Sequence, residues 1–285
     1  MIFDESFTLS NGITIPRLAL GTWLIEDGIV SDAVQNAVKI GYRHIDTAQA
    51  YENERGVGEG IRKSGIPREQ IFVTSKVAAE LKSYEAAAAS IDKSLMTSGL
   101  DYFDLMIIHC PQPWSEYHRA DCPYRYPEEN RQVWKALEEA CQAGKIKAIG
   151  VSNFLECDIE NILTDCKIKP MVNQILINIT NTPAELISYC QKQNIITEAY
   201  SPIAHGAALN NPVLAAAAEA YGVSIPQLCI RYAWQLDLVV LPKTANPEHM
   251  KNNADLNFVI SDSDMQILKN FDKISPGQIP AFSGN

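Results

Sequence analysis

Short apolar runs alternate along this chain with longer stretches whose apolar residues recur every three or four positions. The runs fall at residues 18–20, 42–45, 71–74, 103–108, 146–151, 171–172, 195–199 and 238–241, and each reads as a buried strand. Helical periodicity fills intervals at 32–40, 84–96, 127–142 and 184–193, and the Ala-rich stretches 86–89 and 215–218 are strong helix formers. Punctuation supports the division. Gly41, Gly99 and Gly144 stand where helices should stop, and Thr182-Pro183 supplies a hydroxyl cap followed by a proline at a helix start. Ahead of the first run, residues 7–15 alternate on either side of Asn11-Gly12, which predicts a small hairpin. A last helix is predicted over 259–271, with 274–285 as a tail.

Alternation of this kind predicts a parallel sheet, and about eight βα units favour an α/β fold closed as a (β/α)8 TIM barrel behind a short N-terminal β-hairpin. No linker-like change of composition divides the 285 residues, so a single domain over 1–285 is expected. With 46% hydrophobic and 20% charged residues the chain has material for a large core. A formal net charge of −10 works against nucleic acid and anionic lipid as partners, because both are held by clustered Lys and Arg. There is no secretory pattern in residues 1–20 and no uninterrupted apolar span of the length a membrane requires. The expectation is a cytoplasmic monomer acting on a small molecule. Seven scattered cysteines, Cys110, Cys122, Cys141, Cys157, Cys166, Cys190 and Cys229, form no C-x-x-C pair, so neither a disulfide framework nor a metal site is expected.

In a βα barrel the chemistry sits where strands end. Here the runs lead into Gly21-Thr22-Trp23, Asp46, Lys76, His109, Ser152-Asn153, Asn173-Gln174, Tyr200-Ser201 and Lys243-Thr244. Each has a plain structural explanation taken alone: a satisfied histidine, a turn cap, a surface charge. Eight strand ends alike point instead to one polar mouth. Asp46 and Lys76 are expected to pair there, since a charge at a barrel rim is expensive to leave unpartnered. Tyr51, in the loop after Asp46, has a phenol that suits a proton donor if a neighbouring ammonium stabilises its anion and lowers its pKa. His109 is expected to orient a carbonyl oxygen.

These residues resemble a known family. Residues 41–54, Gly-Tyr-Arg-His-Ile-Asp46-Thr-Ala-x-x-Tyr51-x-Asn-Glu54, are similar to the first signature of the aldo-keto reductases, and Ile108-His109, residues 144–154 and Leu241-Pro-Lys-Thr244 are similar to later ones. The resemblance spans almost the whole chain. It implies NAD(P)H-dependent reduction of carbonyls by a tetrad of Asp46, Tyr51, Lys76 and His109, with Tyr51 as general acid. It also implies a cofactor site made by Gly21, Thr22, Trp23 and Asp46, by Ser152, Asn153 and Gln174 around a carboxamide, and by Tyr200 against the nicotinamide ring. Ser201, Pro202 and Ile203 would line the pyrophosphate, and Lys243, Thr244, His249, Asn252 and Asn253 the adenosine end. Trp23, Tyr51, His109 and Trp114, with Phe282, would face substrate.

The sequence departs from the family pattern in places. His249 and Asn252 stand where NADP(H)-preferring members commonly carry Arg and Glu, so NADP(H) is expected as cofactor with NAD(H) also usable. Cys110 replaces a common Trp, which opens a wall that Trp114 is placed to fill, and residues 175–180 lack the usual Glu and His-Pro. Two rival functions remain at this point. One is an aldolase-like enzyme forming a Schiff base on Lys76; the other is a non-catalytic nucleotide-sensing subunit. Gly56-Val-Gly58-Glu-Gly60 lacks the spacing of a dinucleotide loop and reads as close helix packing.

Overall fold

The computed structural model describes residues 2–117, 124–275 and 277–284. Its strands are β1 (Ser6–Thr8), β2 (Thr14–Pro16), β3 (Leu20–Gly21), β4 (His44–Asp46), β5 (Phe72–Val77), β6 (Phe103–Ile108), β7 (Ile146–Ser152), β8 (Val172–Leu176), β9 (Ile196–Tyr200) and β10 (Val239–Leu241). Strands β3 to β10 lie side by side in sequence order, all parallel. Parallel bridges Leu18↔Val240 and Gly21↔Lys243 join the first strand to the last and close the barrel. Strands β1 and β2 form a separate antiparallel hairpin whose turn is held by Gly12 at φ 86°.

Two apolar layers follow from this closure. Side chains that alternate inward on the strands, among them Ala19, Phe72, Leu105, Ile107, Ala148, Val172, Val239 and Leu241, form one cluster with Leu9 and Ile15 of the hairpin. The hairpin therefore plugs the end of the barrel away from the strand C-termini. A larger cluster lies between the barrel and its helices. The glycines at 56, 58 and 60 fall on the helix Glu54–Lys63, and a Cβ on them would stand 2.3 Å from Asp27 O, 1.8 Å from Ser98 O and 2.7 Å from Ser31 O. They serve close helix packing, as expected.

Two strands run longer than expected, for one reason. Strand β5 runs on to Val77 and β8 to Leu176, through Ser75-Lys76 and Asn173-Gln174, where polarity suggested an end. A barrel strand is enclosed on both faces, so polar residues stay in register when their hydrogen bonds are met inside. Thr182 does not cap the next helix: Ala184–Lys192 follows Pro183, and the Thr182 hydroxyl donates to Asn178 O at 3.0 Å. The first long helix begins earlier than read, at Asp27, and the last regular one is shorter, Asp262–Lys269. Helices Glu156–Leu163, Pro212–Ala220, Ile225–Gln235 and Pro247–Ala254 complete the outer ring. Among the described residues no single helix is long and apolar enough to cross a membrane. The apolar pair Pro212–Ala220 and Ile225–Gln235 bends by 81° and buries Leu214, Ala217, Leu228 and Tyr232 in the outer core.

Candidate active site

Strand parity aims the polar residues at one point. His44 and Asp46 on β4, Thr74 and Lys76 on β5, Gln174 on β8 and Glu198 on β9 are all buried inside the barrel, where hydrogen bonds join Lys76, Asp46, Gln174 and Glu198 in one chain and His44 to Thr74 beside it. Lys76 is wholly buried, and its Nζ donates to Asp46 Oδ1 at 2.7 Å, to Thr47 O at 2.8 Å and to the Tyr51 hydroxyl at 3.1 Å. An ammonium has three N–H groups, and all three are engaged. Burial alone would lower the Lys76 pKa, but Asp46 and Tyr51 outweigh it and hold the amine above its ordinary value. A protonated, fully engaged amine has no lone pair for a carbonyl carbon, which weighs against the Schiff-base rival.

Tyr51 ends a single 3-10 turn, Gln49–Tyr51, that its neighbours tie down. Gln49 accepts from Ala78 N at 2.9 Å and donates to Ser90 and Ser94. Asn53 donates to the Thr22 and Ile25 carbonyls at 2.9 Å each and accepts from the Thr47 hydroxyl at 2.7 Å. Glu54 accepts from Ser75 at 2.6 Å and Ser94 at 3.0 Å. The segment is thus cross-braced to three neighbouring loops and helices. One expectation needs correction here. Burial pushes the Tyr51 phenol above its ordinary pKa; Lys76 opposes that rise without reversing it, while Asp46 adds to it. The resting group is a protonated phenol, and the ammonium acts on the anion that forms when the proton leaves.

His109 follows β6 and stands edge-on to Tyr51 at 5.6 Å and to Trp114 at 5.1 Å between ring centroids. Burial, helped by Lys76, holds its pKa well below the ordinary imidazole value, so the ring is neutral. Its Nδ1 is buried without a hydrogen-bond partner. Asn153, at φ 62°, donates to His109 O and Ser152 Oγ at 3.0 Å each and accepts from the Tyr200 hydroxyl at 2.8 Å. It ties together the ends of β6, β7 and β9.

These side chains open on a cavity of about 450 Å³ at the strand C-termini. Its walls include Gly21, Trp23, Asp46, Tyr51, His109, Trp114, Ser152, Asn153, Gln174, Tyr200, Ser201 and Lys243, so the tetrad apart from the deeper Lys76, most inner cofactor candidates and all four substrate candidates share one space. Thr22 lies just behind, donating to Asp46 O at 2.9 Å. Pro202 and Ile203 continue from Ser201 without joining the wall. Thr244, His249, Asn252 and Asn253 also lie outside that wall; His249 and Asn252 are exposed on the helix Pro247–Ala254, whereas Asn253 is buried.

Three findings adjust the substrate side. Cys110 is buried and forms no part of the cavity wall, whereas Trp114, in a short helix Trp114–Tyr117, does. Lys82 braces this region by donating to Cys110 O and Asn130 Oδ1 at 3.0 Å each, and burial lowers its pKa to about 8. Phe282 does not reach the cavity: Ser283 N and Oγ bond Asp264 at 3.0 and 2.8 Å, which packs Phe282 on the outer core. The six cysteines among the described residues are free thiols, and Cys122 lies outside those residues. Sequence reading also missed Ala50, His205 and Leu241 in the wall and Glu198 beneath it. Period-two counting along β9, with Ile196 and Tyr200 facing the interior, was the available signal for Glu198.

A closed βα barrel with a carboxylate, an ammonium, a phenol and a neutral imidazole joined at its C-terminal mouth belongs to the class of barrels equipped for proton transfer at a bound oxygen. Residues 17–273 match the model of the Aldo/keto reductase family, and the chain belongs to that family, whose members are oxidoreductases acting on carbonyls with nicotinamide cofactors. It is 40% identical over 271 residues to a glyoxal reductase of Bacillus subtilis, covering 94% of this chain and 93% of the relative. An aldo/keto reductase from Brucella melitensis superposes with a TM-score of 0.85 at 34% identity, over 94% of this chain and 99% of the other. A Bombyx mori aldo-keto reductase in complex with NADP gives 0.83 at 32%, over 94% and 92%.

Proposed function

We propose that the chain reduces small aldehydes and ketones to alcohols, reversibly and with NAD(P)H, using Tyr51 as the general acid. The observation that carries this reading is the path Asp46, Lys76, Tyr51, whose last oxygen opens on the cavity. Because the phenol oxygen accepts from Lys76, its own proton is free to point at a carbonyl oxygen. The neutral His109 ring offers that oxygen a second N–H, and positioned acid catalysis of this kind is worth about 10²–10⁴ in rate. As the proton leaves Tyr51, the phenolate is met by an ammonium 3.1 Å away that Asp46 and the Thr47 carbonyl hold in place. In the reverse direction the same pair takes the alcohol proton.

The residues fit a nicotinamide cofactor. Ser152 and Gln174 offer polar atoms in the cavity wall for a carboxamide, and Tyr200 stands in the wall with its hydroxyl fixed by Asn153. A bound reduced nicotinamide supplies the hydride. Lys243 gives a point charge at the adenosine end, and with His249 rather than an arginine nearby the discrimination in favour of a 2′-phosphate is weak. The walls of Trp23, Ala50, Tyr51 and Trp114 favour uncharged carbonyls, and the glyoxal reductase relative makes α-dicarbonyls the first substrates to try. The test is a cofactor-oxidation screen over aldehydes, α-dicarbonyls, keto sugars and ketosteroids with NADPH and NADH. Turnover with both cofactors is expected; no turnover despite tight cofactor binding selects the sensor, and a preference above about a thousandfold overturns the cofactor assignment. Localisation in the cytoplasm, a monomeric state and one domain remain part of this proposal.

A further inference from the structure

Beneath the cavity floor lies a carboxyl that the reaction above does not use. Glu198, in the middle of β9, is wholly buried, and its Oε2 accepts from Gln174 Nε2 at 2.8 Å. The other N–H of the same amide goes to Asp46 Oδ2 at 2.9 Å. Gln174 Nε2 is therefore spent entirely inside the protein, between two carboxyl groups. Its Oε1 is absent from the buried polar atoms that lack a partner, while Gln174 itself lines the cavity, so the oxygen is the end of the amide turned to the cavity. Glu198 Oε1, by contrast, is buried with no partner; the nearest cationic candidate, His44 Nε2, is 3.9 Å away, and burial keeps that imidazole neutral with a pKa of about 4. A carboxyl tolerated in such a place, with one oxygen unsatisfied, is doing something that packing does not require.

We propose that Glu198 is a positioning residue for cofactor recognition: with Asp46 it locks the Gln174 amide oxygen-outward, so that the site accepts a hydrogen bond from a carboxamide NH2 and disfavours a nicotinamide replacement that lacks one. This rests on the reading of the cavity as a nicotinamide site. With Asp46 as the sole acceptor, the amide is held at one N–H and swings about its terminal torsion, which is soft and roughly two-fold in ordinary side chains. With both acceptors it has one orientation. The chemistry recognised is the primary amide of an oxidised or reduced nicotinamide ring. A 3-acetylpyridine ring, with a methyl in place of the NH2, is its closest counterfeit.

The experiment is a binding comparison rather than an activity assay. Dissociation constants of NADP+, of 3-acetylpyridine adenine dinucleotide phosphate and of 2′,5′-ADP are measured by intrinsic fluorescence for the parent, Glu198→Gln and Glu198→Leu. The parent is expected to bind NADP+ about tenfold more tightly than the acetylpyridine analogue, the discrimination one hydrogen bond supplies. Glu198→Gln, which keeps an acceptor for Gln174, retains the ratio; Glu198→Leu brings it to within about twofold of unity by weakening NADP+ alone. Affinity for 2′,5′-ADP, which carries no nicotinamide, is unchanged in all three. An undiminished ratio in Glu198→Leu overturns the proposal. Should that variant not fold, a parent ratio already near unity overturns it as well, and Glu198→Thr repeats the test with a smaller side chain that does not reach Gln174. A parent that binds none of the three ligands defeats the cofactor site itself, which is a different failure.

Discussion

Each end of the barrel buries a cation, and under the proposed mechanism the two are put to opposite uses. At the hairpin end Arg17 donates to Glu5 at 3.0 Å and to the Trp234 carbonyl at 2.6 Å, with its guanidinium 4.1 Å from the Trp234 ring centroid and 4.6 Å from that of Phe7. These partners are a carboxylate, a backbone carbonyl and two aromatic rings, and the arrangement seals the plug. At the mouth Lys76 is equally enclosed, but one of its three acceptors is a phenol whose far side opens on a cavity. Burial of a charge is common to both. What separates a structural cation from a functional one is whether a partner has a proton to lose and a place to send it.

The largest effect should come from removing that proton. Tyr51→Phe keeps the ring between Lys76 and His109 and deletes only the hydroxyl, so turnover should fall by about 10²–10⁴ while cofactor affinity changes less than about threefold. Steady-state kinetics beside fluorescence titration decide it, and activity within tenfold of the parent dismisses Tyr51 as the acid. Comparable loss in both kcat and kcat/KM is the pattern of an interaction made in the transition state.

Between the two cations sits Glu198, whose carboxyl burial, with Asp46 adding, pushes up to about 8 from 4.5. Gln174 and Lys76 oppose the rise without cancelling it. Below pH 4.5 folded and unfolded chains both carry its proton and nothing is lost. Between the two values the unfolded chain ionises and the folded one does not, so folding loses about 1.4 kcal/mol per pH unit from this group, levelling off above the folded value. Glu198→Gln removes the titration. Its stability advantage over the parent should therefore widen by roughly 2–4 kcal/mol from pH 5 to pH 8. Urea unfolding at the two pH values reads this directly, and parallel parent and variant curves would show that the carboxyl is ionised in the fold.

How much of this was readable beforehand follows the same contrast. Asp46, Lys76 and His109 announce themselves because a charged or imidazole side chain at the end of an apolar run has few structural excuses, and the runs are short enough to count. The hairpin was legible from Asn11-Gly12 alone. Glu198 was passed over because the polar residues weighed were those that follow each apolar run, whereas this acid stands inside one, 195–199. The three acceptors of Lys76 include a backbone carbonyl, which no residue type reports. Phe282 was misplaced since a tail's route depends on a side chain far from it, Asp264, and the direction of the Tyr51 shift needed the extent of burial rather than the presence of Lys76.

Arg17 provides the control for the mouth. Arg17→Met keeps much of the packing against Phe7 and Trp234 and removes the charge and its hydrogen bonds to Glu5 and Trp234 O, while that carbonyl still accepts from Asp237 N at 3.1 Å. A loss of about 1–3 kcal/mol is expected, seen as a lower Tm, with kcat unchanged within twofold at temperatures where the chain is folded. A tenfold drop in kcat there would mean that the two ends communicate and that the division drawn above is false.

The smallest effect concerns a third setting, neither sealed nor enclosed. His249 and Asn252 are exposed on one face of the helix Pro247–Ala254, three residues apart, close in sequence to the exposed Lys243. A cation there is screened by water and salt, unlike Lys76, so it tunes affinity and cannot organise chemistry. His249→Arg adds a planar donor suited to a 2′-phosphate, and the NADPH to NADH ratio of kcat/KM should rise by about tenfold at low ionic strength. The gain should shrink as salt is added, whereas the turnover set by Tyr51 and Lys76 should not follow it. A salt-independent gain would place the arginine out of water, and no gain at all would put the phosphate-binding end of the cofactor elsewhere.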